Sequence, residues 1–205
     1  MLPDLRDACA AAVARLLAAA PEMVAVVGAG DVTATWDPDS QPDLRAYADR
    51  VRGGTPGLPL AVGLGAMLLD EAGYGGPRVL HAIGEAAPAD ECLRLGASLA
   101  DAAPRVGLLA VGDGSARRSP SAPGHLDERA EPFDASVEKA FRDGDMAALA
   151  ALDPRLARDL MATGRAAWQV LAGAVGTTAA AAGEILYSGA PFGVSYLVAV
   201  LDIPR

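Results

Sequence analysis

The chain has 205 residues, 52% hydrophobic but only 4% aromatic, and its 26 acidic against 17 basic side chains give a formal charge of −9. The acidic residues are spread along the chain, which excludes the basic footprint expected of a protein that binds nucleic acid or an anionic membrane surface. A length of this order suits one domain whose core needs no disulfide or metal staple.

Further exclusions follow from particular segments. The longest nearly uncharged stretch, residues 166–187, is broken by Gln169, by Gly and Thr after Leu171 and by Glu184, so it fails as a membrane span. Asp4, Arg6 and Asp7 interrupt the region where the apolar part of a signal peptide would lie. Cys9 and Cys92 fall in helical patterns without CxxC spacing and read as small hydrophobes of a reduced, cytoplasmic protein.

In chain order, residues 2–20 have helical apolar spacing, acidic residues near the amino end and a stop at Pro21. Residues 23–29 read as a strand, and Gly28-Ala29-Gly30-Asp31 as its closing turn; a lone Gly-x-Gly without an opening helix does not make a phosphate loop. Residues 33–36 are β-prone and a Pro/Asp/Ser loop follows. Leu60, Leu64, Met67 and Leu68 mark a helix over residues 58–72, ended by Gly73. A strand over 78–83, a helix over 88–103 with Pro at its start, and a strand over 105–111 complete the first half.

The second half begins with helical stretches at 132–141, 146–152, 154–161 and 166–175, with Asp145 and Asp153 as caps. Residues 177–182 form a helix end or tight connection. Runs 183–187 and 193–201, joined by Ser188-Gly189-Ala190-Pro191, predict an antiparallel hairpin at the sheet edge. Alternating strands and helices predict an α/β fold, a three-layer α/β/α sandwich around a mostly parallel central sheet.

The polar loop after the strand at 105–111 is where a site is expected, because pockets of open α/β sheets form at the carboxyl ends of strands. It holds Asp113, Ser115, Arg117 and His125. His81, inside a strand, reads as a core histidine bonded to backbone; His125, in a Pro-Gly loop, is the better functional candidate. Ser115 follows Gly-Asp-Gly but lacks the Gly-x-Ser-x-Gly elbow, and a serine hydrolase would have His125 as its only nearby base. Arg117 and Arg118 suit either an anion clamp or a solvated loop beside Asp113 and Asp127. Glu128, Glu131, Asp134 and Glu138 are explained by the amino-terminal dipole of the helix near Pro132.

The segments Gly112-Asp113-Gly114-Ser115-Ala116-Arg117-Arg118-Ser119, Ala122-Pro123-Gly124-His125-Leu126-Asp127, Arg129-Ala130-Glu131-Pro132-Phe133-Asp134, Trp168-Gln169-Val170-Leu171 and Ala190-Pro191-Phe192-Gly193-Val194-Ser195-Tyr196-Leu197-Val198-Ala199 resemble actinobacterial proteins classed with the class III extradiol ring-cleavage dioxygenases, the LigB-like superfamily. The resemblance covers nearly the whole chain, as a single domain over residues 1–205. It implies the three-layer fold and, in active members, non-haem Fe(II) held by two His and one Glu, with a further His as acid–base catalyst, opening catechol-type rings with dioxygen.

At each of those points this chain departs from the resemblance. The family's first strand, with its His-Pro ligand motif, is lacking, because residues 1–3 fall on the following helix. Gly28-Ala29-Gly30-Asp31 stands where a second ligand His is expected, Ser115-Ala116 where the catalytic Ser-His is expected, and Ala166-Ala167 where the ligand Glu is expected. The expectation is a scaffold with its iron residues lost. Asp113, Ser115, Arg117 and His125 would then line an inherited pocket for a small anion or aromatic acid. The alternatives are a non-catalytic partner subunit or homo-oligomer meeting its neighbour near Phe192 and Tyr196, and, remotely, a serine hydrolase.

Overall fold

The computed structural model describes residues 2–43 and 57–203. Its elements are α1 (Pro3–Ala18), β1 (Met23–Gly30), β2 (Ala34–Trp36), α2 (Leu60–Glu71), β3 (Arg78–Gly84), α3 (Ala89–Ala100), β4 (Val106–Val111), α4 (Ala130–Asp143), α5 (Met146–Ala150), α6 (Pro154–Asp159), α7 (Arg165–Val175), β5 (Ala182–Gly189) and β6 (Tyr196–Asp202). The fold is mixed α/β, as the alternating pattern predicts.

The central sheet has the order β2-β3-β1-β4, with β3 and β4 parallel to β1 and β2 antiparallel to β3. Strand β1 is buried from Val24 to Ala29, which is why it reads as a continuous apolar run rather than an alternating one. Its side chains divide between two layers. Val24 and Val26 pack with Val13 of α1 and Val62, Ala66 and Leu69 of α2. Ala25 and Val27 face the other way, against Cys92 and Leu99 of α3 and Ala166, Ala167 and Val170 of α7.

A third apolar cluster lies beside the sheet, where Phe133, Val137 and Phe141 of α4 and Met146 and Leu149 of α5 meet Trp168 of α7, with Leu197 and Ala199 packed against them. Phe141 and Trp168 meet edge to face, with ring centroids 6.1 Å apart. Helix α7 thus serves two cores at once, and it is buried on nearly all sides from Arg165 to Val170. The two polar residues in that run, Arg165 and Gln169, are buried with the rest.

The close approach of α3 and α7 depends on glycine. A Cβ on Gly96 would fall on the Val170 carbonyl oxygen, and one on Gly173 would fall on the Leu93 carbonyl oxygen. The expected caps also form: Asp145 accepts from the Ala148 amide at 2.9 Å and Asp153 from the Arg155 amide at 2.8 Å.

The C-terminal hairpin is antiparallel as expected, and β5 and β6 make a two-stranded sheet of their own. Its connection is longer than the turn read from the sequence: Gly189 pairs with Tyr196, and a 3-10 turn at Pro191–Gly193 lies between. The turn puts Phe192 and Gly193 in the left-handed region, at φ 58° and 76°. Among the described residues no helix is long and apolar enough to cross a membrane.

Because the α3–α7 contact is backbone against backbone, neither helix can yield to a new methyl group without moving off the sheet. Gly96→Ala is expected to cost about 2 kcal/mol or more, read as a lower urea midpoint at unchanged slope.

Candidate functional site

The chain leaves β1 toward β3 on one side and leaves β4 in the other direction, so the carboxyl ends of β1 and β4 flank the crevice in which open sheets of this class place ligands. The loop of residues 112–127 occupies the β4 side. It has no ladder of its own, so its backbone groups find partners on neighbouring segments. The Gly114 amide donates to the Ser195 carbonyl at 2.9 Å, Ser195 to Ser115 at 2.8 Å, Ala116 to Leu160 at 3.0 Å, and Arg118 to Gly193 at 3.0 Å.

The strongest polar group in this loop is built around Asp134. The Ser115 amide donates to Asp134 Oδ1 at 2.9 Å, the Ser115 hydroxyl to Oδ2 at 2.5 Å, and Arg118 Nη1 to Oδ2 at 3.2 Å. Ser115 is fully buried and Asp134 is 8% exposed. A carboxylate so enclosed is held by charge-assisted bonds rather than by water. Arg118 also reaches Glu131, and beside this cluster a cavity of about 200 Å³ opens between α4 and the hairpin, with Ser188, Ser195 and Trp168 in its wall.

The four residues expected to line one pocket have different neighbours. Ser115 is committed to Asp134. Asp113 lies at the end of β4, its amide donating to Thr163 Oγ1 at 3.2 Å, and desolvation among its neighbours pushes its carboxyl above the ordinary range. The Tyr196 hydroxyl is pushed up as well, first by burial and then by the charges of Asp113 and Tyr187. Arg117 lies along Gly124, with its Nε buried and without a hydrogen-bond partner. His125 is exposed at φ 57°, its Nδ1 3.4 Å from the Pro120 carbonyl oxygen. Next to it the Asp127 carboxyl is lowered to about 2, chiefly by hydrogen bonds from Arg129.

Two residues matter more than their sequence context suggests. Asp134, which helix-start electrostatics would explain, sits a turn further in because α4 begins at Ala130, and it shares the buried face with Phe133 and Val137. Arg165 opens α7 and is 2% exposed. Its Nη1 donates to the Ala87 carbonyl at 2.7 Å and to Gln169 Oε1 at 2.9 Å, and Nη2 to the Glu85 carbonyl. All of these acceptors are neutral, and burial pushes the guanidinium below its ordinary value. The sequence signal was a lone cation at the head of an otherwise apolar helix.

The residues present do not fit an iron held by two His and one carboxylate. Among the described residues no three His, Cys, Asp or Glu side chains converge as a metal site. Of the positions that the resemblance assigns to iron chemistry, Gly28 and the alanines at 116, 166 and 167 are enclosed, while Asp31, which ends the 28–31 segment, is exposed. A Cβ on Gly28 would lie 2.7 Å from the Ala61 Cβ and 2.8 Å from the Val62 amide. Ala116, Ala166 and Ala167 are 8%, 1% and 0% exposed. His81 is bonded at Nδ1 to Thr35 Oγ1, 2.9 Å away, rather than to backbone, and its Nε2 is buried without a partner.

No protein-family model and no curated protein matches the chain. Among solved structures, the crystal structure of an uncharacterized protein from Escherichia coli K12 is similar, with 16% identity over 88% of this chain and 86% of that one and a TM-score of 0.46.

Two measurements follow from the site. Asp134→Ala should cost about 3 kcal/mol or more by stranding Arg118 and the Ser115 donors, and Ser115→Ala about 1–2 kcal/mol. The double variant should be no less stable than Asp134→Ala alone, so a urea double-mutant cycle should show strong coupling. Burial lowers the His81 pKa, so His81 protonates more readily in the unfolded chain. Stability is therefore full above the unfolded value of about 6.5 and falls as the pH drops below it, by at most about 1.4 kcal/mol per pH unit. His81→Gln should flatten that part of the stability profile.

Proposed function

We propose that this chain is a subunit of the class III extradiol dioxygenase-like, LigB-like kind that works without iron, as a non-catalytic partner or small-molecule-binding subunit. The observation that carries the reading is the packing at residue 28, within the 28–31 segment, and at residues 116, 166 and 167. Where the resemblance calls for imidazole, imidazole and carboxylate, the chain has hydrogen or methyl groups enclosed by neighbouring elements. At residue 28 even a Cβ would crowd Ala61 and Val62. The partner role gains support from Phe192, 76% exposed at the tip of the hairpin.

A binding role draws on Arg117, whose Nε is buried without a hydrogen-bond partner among the described residues. An aromatic or other small carboxylate would provide an acceptor, with His125 following the supporting Gly124 in the chain. The hydrolase alternative has less behind it. The Ser115 hydroxyl donates to Asp134, while the His125 ring is engaged with Pro120.

The test is anaerobic loading of the purified protein with Fe(II), followed by metal analysis and an oxygen electrode with catechol added. The expected outcome is iron far below one per chain and no catechol-dependent oxygen uptake. Stoichiometric iron together with such uptake would overturn the reading.

A further inference from the structure

Helix α2 is apolar on every side. From Leu60 to Leu69 it carries no charged, hydroxyl or amide side chain. Val62, Ala66 and Leu69 are buried in the cluster that holds Val24 and Val26 of β1. The opposite side is open: Leu60, Leu64 and Met67 are 37%, 44% and 40% exposed. With the exposed Glu71 they follow steps of four, three and four residues, which line them along one stripe of the helix. A surface helix ordinarily turns polar side chains outward. Helices α3 and α4 do so, with Asp90 and Arg94 exposed on one and Glu131, Lys139 and Arg142 on the other.

The charges of α2 also run against its own dipole. Its first turn holds no acidic residue, and Pro59 in the capping position provides no side-chain bond. Its acidic residues, Asp70 and Glu71, stand at the carboxyl end, where the helix has no basic residue to offset them. Asp70 is paired with Arg78 of β3. Glu71 meets Arg6 of α1 at 3.5 Å, with both side chains mostly exposed, and a pair of that kind adds little and leaves Glu71 able to face another charge. The neighbour that suits this surface is a helix with an apolar stripe and an uncapped amino end set against Glu71. Helix α2 is itself that neighbour when turned end for end.

We infer that α2 is the contact of a two-fold dimer, in which the helices of two copies pack antiparallel along the stripe of Leu60, Leu64, Met67 and Glu71. An axis beside Leu64 sets that residue against its own mate and each Leu60 against Met67 of the other copy, the reciprocal pairing that a two-fold interface requires. It also brings each Glu71 to the amino end of the facing helix, where negative charge is favourable. A parallel pairing would set the two acidic ends together. One helix stripe falls short of the roughly 800 Å² per partner of a standard stable interface, so the dimer forms reversibly, in the micromolar range. This inference does not depend on the functional reading above.

The test is sedimentation equilibrium of the 205-residue chain over a range of concentrations. The expected result is a reversible monomer–dimer equilibrium. Leu64→Glu sets two like charges at the axis and should abolish the dimer with the circular dichroism spectrum unchanged, and Glu71→Lys should weaken it about threefold or more. A chain that stays monomeric at millimolar concentration overturns the inference, and so does a dimer that both variants leave intact. Should Leu64→Glu not fold, Leu64→Cys in a Cys9→Ala background decides: mild oxidation should join two copies through residue 64, and a chain left unlinked overturns the two-fold contact.

Discussion

The guanidinium of Arg165 is the constraint on which the packing around α7 depends. It reaches the carbonyls of Glu85 and Ala87 just after β3 and the side chain of Gln169 one turn along its own helix. Gln169 in turn donates to the carbonyls of Ala150 and Leu152. One buried cation thus fixes α7 to the loop that starts α3, and one amide fixes it to the end of α5. A buried ion facing only neutral acceptors carries a desolvation cost that specific geometry must offset. The return here is alignment: two cores meet on α7, and its register sets both.

That alignment places the amino end of α7 beside the exit of β4, where the Gly164 amide donates to the Asp113 carbonyl. From there the 112–127 loop is tied to Asp134, to the end of α6 and to the start of β6. The consequence for function is a crevice whose walls are internally satisfied. Ser115 and Asp134 use their hydrogen-bonding capacity on each other, and the sites nearest the sheet are filled by Gly and Ala. Asp113, at the exit of β4, and Arg117 and His125, further along the loop, lie outside that pair.

The fold was legible because its signals are local and periodic. Each strand and helix inferred from apolar spacing appears, and Pro21, Gly73, Asp145 and Asp153 act at the boundaries where their backbone chemistry places them. The site was less legible, because it depends on which side of an element a polar residue faces. Asp134 and Glu131 look alike in sequence, and only the start of α4 at Ala130 turns one inward. Arg165 gave no periodic signal at all. Sequence proximity does not give partners either: Ser115, Arg117 and His125 share a loop but have different neighbours.

The two faces of the central sheet are covered by residues of very different age in a growing chain. Helices α1 and α2 precede β4, so one face can be sheltered as soon as the parallel strands assemble. The other face needs Ala166, Ala167 and Val170 against Ala25 and Val27, and these emerge from the ribosome only after four further helical or loop segments. Until then α3 covers only part of that face, and the rest of its aliphatic surface is open to solvent beside a half-built sheet. The nascent polypeptide is thus most exposed to aggregation, and most in need of chaperone shelter, during synthesis of the segment between β4 and α7.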